Sequence, residues 1–171
     1  IYGSVSTLFR AFENISFSAS SDVSGNTLDA GGSGFASPSR LSWLTVLAGK
    51  YVSNRVLATA SLLYTHINEQ TKTGDTAENQ RRFSPYISLS VKPFTTADLR
   101  FRAFYKNIFR VPTFNDLYYS RVGNPNLKPE NTQQFNLGAT YTTTFNELLQ
   151  FLSVTADAYH NRIDNKIVAY P

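Results

Sequence analysis

Apolar and polar side chains alternate at every second position through most of this 171-residue chain, and this alternation constrains its fold more than any other property. In residues 83–92, for example, Ile87 and Leu89 alternate with Ser88 and Ser90. Because successive side chains of a β-strand point to opposite faces of a sheet, a period of two predicts strands with one apolar and one polar face. No useful window shows the 3.6-residue spacing of an amphipathic helix. The sequence therefore predicts an all-β protein.

The pattern predicts about eight strands joined as an antiparallel up-and-down meander. They cover residues 2–11, 14–21, 40–51, 55–67, 83–92, 98–108, 133–143 and 149–160. One predicted face carries Ile87, Leu89, Leu99, Phe101, Ala103, Tyr105, Leu137 and Ala139. The opposite face carries Ser88, Arg100, Arg102, Lys106 and Gln134.

Short and long connections alternate between these predicted strands. Short connections fall near residues 12–13, 52–54, 93–97 and 144–148, and long ones, rich in Gly, Pro, Asn and Thr, cover residues 22–39, 68–82 and 109–132. A transmembrane up-and-down barrel sorts its short turns to the periplasmic end and its longer loops to the outer end. The alternation therefore favours part of a transmembrane β-barrel over a soluble sandwich.

The aromatic residues favour the same fold. Trp43 and Tyr51 share a face of the third predicted strand and lie about 26 Å apart at ~3.3 Å per residue. This separation fits two aromatic girdles on either side of an apolar membrane band. An ordinary sandwich core would explain the burial of such aromatics, but not their position at strand ends.

Composition excludes several functional classes. With no Cys, the chain has no disulfides, thiolate nucleophiles or Cys-based zinc sites. The net charge of +4 is modest and the basic residues are dispersed, which argues against nucleic-acid binding. Asp157 and His160 differ by three positions and so fall on opposite faces of a strand, where they form no acid–base pair. The sequence therefore predicts neither an enzyme nor a cofactor.

One long connection carries residue types that bind hard cations. Asp22, Ser24, Asn26 and Asp29 offer oxygen ligands of the kind that Ca²⁺ prefers. Their spacing fits no metal-binding motif, and the neighbouring glycines indicate a mobile loop. The sequence therefore predicts no metal site, with Asp22 and Asp29 as the candidates if one exists.

The most distinctive stretch lies between the sixth and seventh predicted strands. Val111 precedes Pro112, and because proline restricts the preceding residue and cannot donate to a sheet ladder, a strand should end here. Turn-forming residues around Gly123 and apolar side chains such as Leu117 then predict an ordered loop that packs on itself. Asn115 is a candidate for bonding its own loop backbone.

This stretch resembles the FRxPTFNDLY…GNPxLKPE signature of TonB-dependent outer-membrane receptors, and residues 83–171 as a whole resemble that family. The signature positions are Phe109, Arg110, Pro112, Thr113, Phe114, Asn115, Asp116, Asn124, Pro125, Leu127, Pro129 and Glu130. The resemblance implies that residues 1–171 are part of a receptor barrel, with the plug domain and the C-terminal strands outside the chain.

The same resemblance implies a function and a location. Such receptors import a scarce solute, for example an iron chelate, cobalamin or an oligosaccharide, across the outer membrane of a Gram-negative bacterium. The energy comes from the TonB complex acting through the plug domain. The implied partners are therefore the TonB complex, outer-membrane lipid and the solute, and no nucleic acid.

Two interpretations of the signature remain open, because it could shape the exit from the strand or could contact the ligand. Candidate ligand contacts are Tyr118, Tyr119 and Arg121 in the loop, and a basic stripe of Arg100, Arg102, Lys106 and Arg110 on the polar face. The stripe could attract an anionic solute or plug carboxylates, or could consist of solvated residues balanced by nearby acids. The rival function is a soluble all-β carbohydrate-binding module, and a passive pore or an outer-membrane enzyme is a third alternative.

Overall fold

The computed structural model describes residues 1–29, 35–119, 123–144 and 151–168. The strands are β1 Tyr2–Phe12, β2 Ile15–Thr27, β3 Ser39–Val52, β4 Val56–Gln70, β5 Gln80–Val91, β6 Asp98–Arg110, β7 Glu130–Thr143 and β8 Leu152–Asp164. A short helix, α1 (Phe114–Tyr118), lies between β6 and β7. Within the described ranges, no helix is long and apolar enough to cross a bilayer.

The strands form one eight-stranded antiparallel sheet in sequential order from β1 to β8. Each inner strand pairs with its two neighbours in sequence, so the described sheet contains no Greek-key crossover. β1 and β8 are its two edges, and the sheet is not closed within this chain. The predicted all-β meander is confirmed, and an open sheet of this order is what a segment of a larger barrel forms.

The pairing register also confirms the two predicted faces. Ile87 lies opposite Tyr105 and Leu89 opposite Ala103, while Leu137 lies opposite Ala103 across the next pair of strands. Residues directly opposite each other in an antiparallel pair share a face. Lys106 lies opposite Gln134 on the other side of the sheet. We refer to these two sides as the apolar face and the polar face.

Aromatic side chains mark the loop end of the apolar face. Tyr64 packs against Phe83 across β4 and β5 with ring centroids 5.0 Å apart, and Tyr105 packs against Phe135 across β6 and β7 at 4.8 Å, both with tilted rings. Towards the turns lie aliphatic side chains such as Leu47, which is opposite Leu62. Leu47 is 60% exposed in this chain. An apolar face of this kind is suited to contact hydrocarbon rather than water.

Most strands run past their predicted ends by a few residues, and β2 and β8 extend the furthest. β2 continues to Thr27 and pairs with β3 over its whole length. Asp22, Ser24 and Asn26 therefore lie in a strand, which corrects the prediction that they belong to a loop. β8 begins at Leu152 and continues to Asp164, because residues 161–164 pair with residues 131–134 of β7. Pairing with a long neighbour is a tertiary effect that alternation along one segment does not reveal. The predicted turn at 144–148 and the predicted strand start at 149 lie largely outside the described residues.

The helix α1 corrects the expectation that the chain has no helix. It consists of 5 residues within the connection from β6 to β7. A helix this short has no repeated apolar spacing along the sequence, and one turn is unstable in isolation because nucleation is costly. Its formation therefore depends on the capping and packing described below.

Candidate functional site at the loop end of the polar face

The long loops lie at one end of the sheet and cover residues 28–38, 71–79 and 111–129, the last of which we call the signature loop. Its two ends meet in the sheet, because Arg110 closes β6 directly opposite Glu130, the first residue of β7. Arg110 Nη1 lies 3.8 Å from Glu130 Oε2. Because the Arg110 side chain is half exposed and the separation is long, this pair contributes at most about 1 kcal/mol. The sheet register, more than the ion pair, therefore holds the base of the loop.

A capping box begins the helix of the signature loop. The carboxylate of Asp116 accepts hydrogen bonds from the backbone N–H and the Oγ1 hydroxyl of Thr113, each at 2.8 Å. In return, the Asp116 backbone N–H donates to Thr113 Oγ1 at 3.2 Å. These reciprocal bonds satisfy backbone donors that the helix itself leaves free. Asp116 thus has the role that the sequence suggested for Asn115, whose side chain is exposed and makes no hydrogen bond within the described ranges.

The loop then turns back on α1 at Gly123. The backbone N–H of Gly123 donates to Tyr119 O at 2.8 Å, and that of Asn124 donates to Asp116 O at 2.9 Å. The side chain of Asn124 also accepts a bond from the Asn126 N–H at 2.9 Å, which forms the turn around Pro125. Residues 123–126 (GNPN) of the signature are therefore hydrogen-bonded to α1 and to the residue after it.

Replacing Gly123 by Ala is expected to disrupt this return. A Cβ at Gly123 would lie 2.5 Å from Tyr119 N and 2.8 Å from Leu117 O, both of which are backbone atoms. Such overpacking costs about 1–3 kcal/mol because the backbone has to move. Hydrogen exchange over residues 113–127 of the full-length protein should therefore be faster than in the wild type.

Gly25→Ala provides the matched control, because a Cβ at Gly25 meets nothing within 4 Å. This variant should exchange like the wild type in the signature loop. Wild-type exchange in Gly123→Ala would show that the close approach around Gly123 does not hold the loop.

The three long loops share a small buried cluster, the loop core. Leu117 is 2% exposed, while Tyr118 and Ala77 are each 8% exposed, and Ala36, Phe114 and Leu127 pack against them. The Tyr118 hydroxyl accepts a hydrogen bond from the Ala77 backbone N–H at 3.1 Å. Burial raises the pKa of Tyr118, so its hydroxyl stays neutral over a wide range of pH. The signature loop is thus packed onto its neighbours.

Two charged side chains connect the loop core to the sheet, and sequence reasoning did not identify either of them. Arg40 of β3 lies opposite Glu69 of β4 and forms an ion pair with it. Arg40 Nη2 also donates to the backbone oxygen of Pro112 at 2.7 Å. Its Cζ lies 4.9 Å from the ring centroid of Phe114, within cation–π distance. The one sequence signal for this pair was that Arg40 and Glu69 carry opposite charges near the loop ends of adjacent strands.

Three members of the basic stripe have partners on or beside the polar face. Arg100 Nη1 donates to Ser90 Oγ at 3.3 Å, and Arg102 Nη2 lies 3.4 Å from both carboxylate oxygens of Asp157. Arg110 pairs with Glu130, as described above. Lys106 is exposed and has no ion pair or side-chain hydrogen bond in the described part of the chain. For the three arginines, the geometry fits polar residues balanced by nearby groups.

The Arg102 pair depends on a glycine in the strand between its partners. Arg102 on β6, Gly138 on β7 and Asp157 on β8 lie side by side across the sheet. Since Gly138 has no side chain, Arg102 reaches over β7 to the carboxylate. A Cβ at Gly138 would lie 2.1 Å from Asp157 Oδ1. The glycine therefore keeps open the space that this ion pair occupies.

The loop candidates for ligand contact occupy different environments. Tyr118 lies in the loop core, so its ring offers little surface to a solute, contrary to the expectation from its sequence position. Tyr119 is 57% exposed. Arg121 lies outside the described residues. Among the loop aromatics, Tyr119 is thus the better placed for contact with a solute.

Asp22 and Asp29, the candidate ligands for a metal ion, contact other side chains of the protein. Asp22 accepts a hydrogen bond from the Tyr2 hydroxyl at 3.1 Å, and Asp29 lies 3.5 Å from Lys72 Nζ. Across residues 1–29, 35–119, 123–144 and 151–168, no group of three or more His, Cys, Asp or Glu side chains could hold a metal ion. Asp157 lies opposite Gly138 and His160 opposite Phe135, on opposite faces of β8, as predicted. In the described ranges, the candidate site thus consists of the polar face and the three packed loops at its end.

Comparison with known proteins gives a match to a family model and partial matches to curated relatives. The family model described as "TonB dependent receptor-like, beta-barrel" matches residues 2–171. The Vitamin B12 transporter BtuB of Vibrio vulnificus is 41% identical over 59 residues, which are 34% of this chain and 9% of that protein. The Vitamin B12 transporter BtuB of Photobacterium profundum is 36% identical over 76 residues, or 44% of this chain and 12% of that protein. The aligned segments are thus short parts of both relatives.

Proposed function

Because this chain belongs to the TonB-dependent receptor-like β-barrel family, we propose that it forms part of the wall and outer mouth of a receptor that imports a solute across the outer membrane. The family resides in the outer membrane of Gram-negative bacteria, and so does this chain. The observation that carries the proposal is the eight-stranded meander with separate apolar and polar faces and with its long loops packed at one end. In a barrel, the apolar face contacts lipid and the polar face lines the interior.

We propose that residues 1–171 contribute only part of the barrel. A plug domain and further strands would be supplied by the rest of the receptor. The TonB complex would act through that plug domain to energise uptake. The open edges at β1 and β8 support this division, because a barrel strand needs a partner on both sides.

For the solute we propose cobalamin as the first candidate. The support is that two proteins named as vitamin B12 transporters match parts of this chain at 41% and 36% identity. Iron chelates and oligosaccharides are the alternative solutes. Within the chain, Tyr119, Arg121 and Lys106 remain the candidates for ligand contact, whereas the signature residues Pro112 and Asp116 would hold the loop.

Uptake by whole cells tests the proposal. The full-length receptor is produced in a Gram-negative strain that lacks its own cobalamin receptor, in parallel with and without a working TonB complex. We expect labelled cobalamin to accumulate only when both receptor and TonB are present. A ferric chelate and a labelled oligosaccharide serve as competing solutes.

The alternatives give different results. TonB-dependent uptake of the ferric chelate or the oligosaccharide alone would support the proposed transport function but exclude cobalamin as the solute. Entry of all three solutes in proportion to their concentration, whether or not TonB is present, would instead identify a passive pore. Recovery of the receptor in the soluble fraction would contradict the proposal altogether.

A further inference from the structure

We propose that Arg40 is the positioning residue of the signature loop, which it fixes over the polar face at the ends of β3 and β4. The two segments are distant in sequence, and the bond from Arg40 to Pro112 O joins residues 72 positions apart. The sheet does not bring them together, because β6 lies three positions from β3 in the strand order. Side-chain contacts must therefore determine where the loop lies after it leaves β6.

Arg40 reaches the start of the signature loop in two independent ways. Its Nη2 donates to Pro112 O at 2.7 Å, and its guanidinium lies over the Phe114 ring with Cζ 4.9 Å from the centroid. The Nε of the same guanidinium is bonded to Glu69, which fixes the plane of the group. A rigid planar fork can satisfy a carboxylate, a carbonyl and an aromatic face together, which a lysine ammonium cannot.

The direction of the loop follows from the register. Arg40 is on the same side of β3 as Lys50, and Lys50 is linked through Thr59 to Ser88, a residue of the polar face. Because Pro112 and Phe114 contact the Arg40 side chain, the start of the signature loop lies on this polar side of the sheet. In a barrel, the loop would thus lean inwards over the interior and narrow the mouth on the side of β3 to β6.

The buried Arg40–Glu69 pair is better explained by its role in placing the signature loop than by a contribution to the stability of the protein. The Glu69 side chain is 0% exposed, and its Oε2 has no hydrogen-bond partner in the described part of the chain. A buried ion pair is often no more stabilising than apolar residues of similar volume, but removing one partner alone is strongly unfavourable. What an apolar pair could not supply is the directed bond to Pro112 O. The Arg40 guanidinium therefore specifies where the loop lies.

This placement also affects the neighbouring loops. Tyr118 follows Phe114 on α1 and bonds to Ala77 in the 71–79 loop, while Ala36 of the 28–38 loop packs against the same cluster. Fixing the signature loop at Arg40 therefore fixes all three loops relative to the sheet. A solute that binds there meets a preorganised surface, which lowers the entropy lost on binding. This step rests on the proposed function, whereas the placement itself does not.

The test compares Arg40→Lys, Arg40→Met and the double variant Arg40→Met/Glu69→Leu in the full-length receptor in detergent. Two quantities are measured for each: the folded fraction, from heat-dependent migration in gel electrophoresis, and hydrogen exchange over residues 113–127. Arg82→Lys and Arg82→Met are the matched controls. Arg82 is an exposed arginine that lies opposite Thr65, on the same face as Arg40, and has no ion pair within the described ranges.

We expect Arg40→Lys and the double variant to fold in normal amounts, because neither leaves the Glu69 charge uncompensated. In both, exchange over residues 113–127 should rise about tenfold or more, since the bond to Pro112 O and the contact with Phe114 are lost. Exchange in the β-strands should stay unchanged. The Arg82 variants should match the wild type in both measurements.

Wild-type protection of residues 113–127 in Arg40→Lys or in the double variant would overturn the proposal, because the loop would then be held without the guanidinium. Equal loss of protection in the Arg82 variants would also overturn it. A failure of Arg40→Met to fold would reflect the unpaired Glu69 carboxylate, and the other two variants would still decide. No solute is used, so a wrong assignment of the transported solute cannot produce any of these results.

Discussion

Leu47→Arg is expected to reduce the free energy of unfolding of the full-length receptor by about 2–4 kcal/mol. Leu47 lies opposite Leu62 on the apolar face, and its side chain is 60% exposed in this chain. In a membrane, that exposed surface would contact hydrocarbon near the middle of the bilayer. An arginine there has to carry its charge into lipid or distort the bilayer to reach water.

Equilibrium unfolding of the receptor in phospholipid vesicles by guanidinium chloride measures this effect. Ser61→Arg is the matched control, because Ser61 directly precedes Leu62 on β4 and so points to the polar face. The control should change the free energy of unfolding by less than about 1 kcal/mol, as for substitutions that face a lumen. Equal destabilisation by the two variants would contradict the assignment of the apolar face to lipid.

Leu117→Ala is expected to reduce the local stability of the three long loops by about 2–5 kcal/mol. Leu117 is the most deeply buried side chain of the loop core, at 2% exposure. Truncating it removes apolar contacts and leaves a cavity beside Tyr118 and Ala77. Since these residues belong to different loops, hydrogen exchange should rise in residues 71–79 and 113–127 together, while the strands keep their protection.

The control for this variant is Leu28→Ala, which truncates a leucine of the first long loop that is 37% exposed. It should leave exchange in residues 71–79 and 113–127 close to that of the wild type. If Leu117→Ala affects residues 113–127 but not residues 71–79, the loops do not form one unit through the loop core.

Much of the signature was interpretable from the sequence because its residues act locally. Pro112 ends β6 and a turn forms around Pro125, as their backbone restrictions require. The capping box of Thr113 and Asp116 follows the same local rule, although the helix it begins was not predicted. The role assigned to Asn115 was wrong, because adjacent polar residues in a loop compete for the same backbone donors and only geometry decides between them.

The faces and the strand order of the sheet were predictable from local sequence patterns. A period of two in Ile87, Leu89, Phe101 and Ala103 decides which side chains share a face, and short connections pair neighbouring strands, because both effects act over a few residues. The loop end was not predictable in this way, because there Arg40, Glu69 and Pro112 meet and Tyr118 is buried against Ala77. These contacts join segments far apart in the chain, so no local pattern encodes them, and they form only once the sheet has placed the three loops side by side.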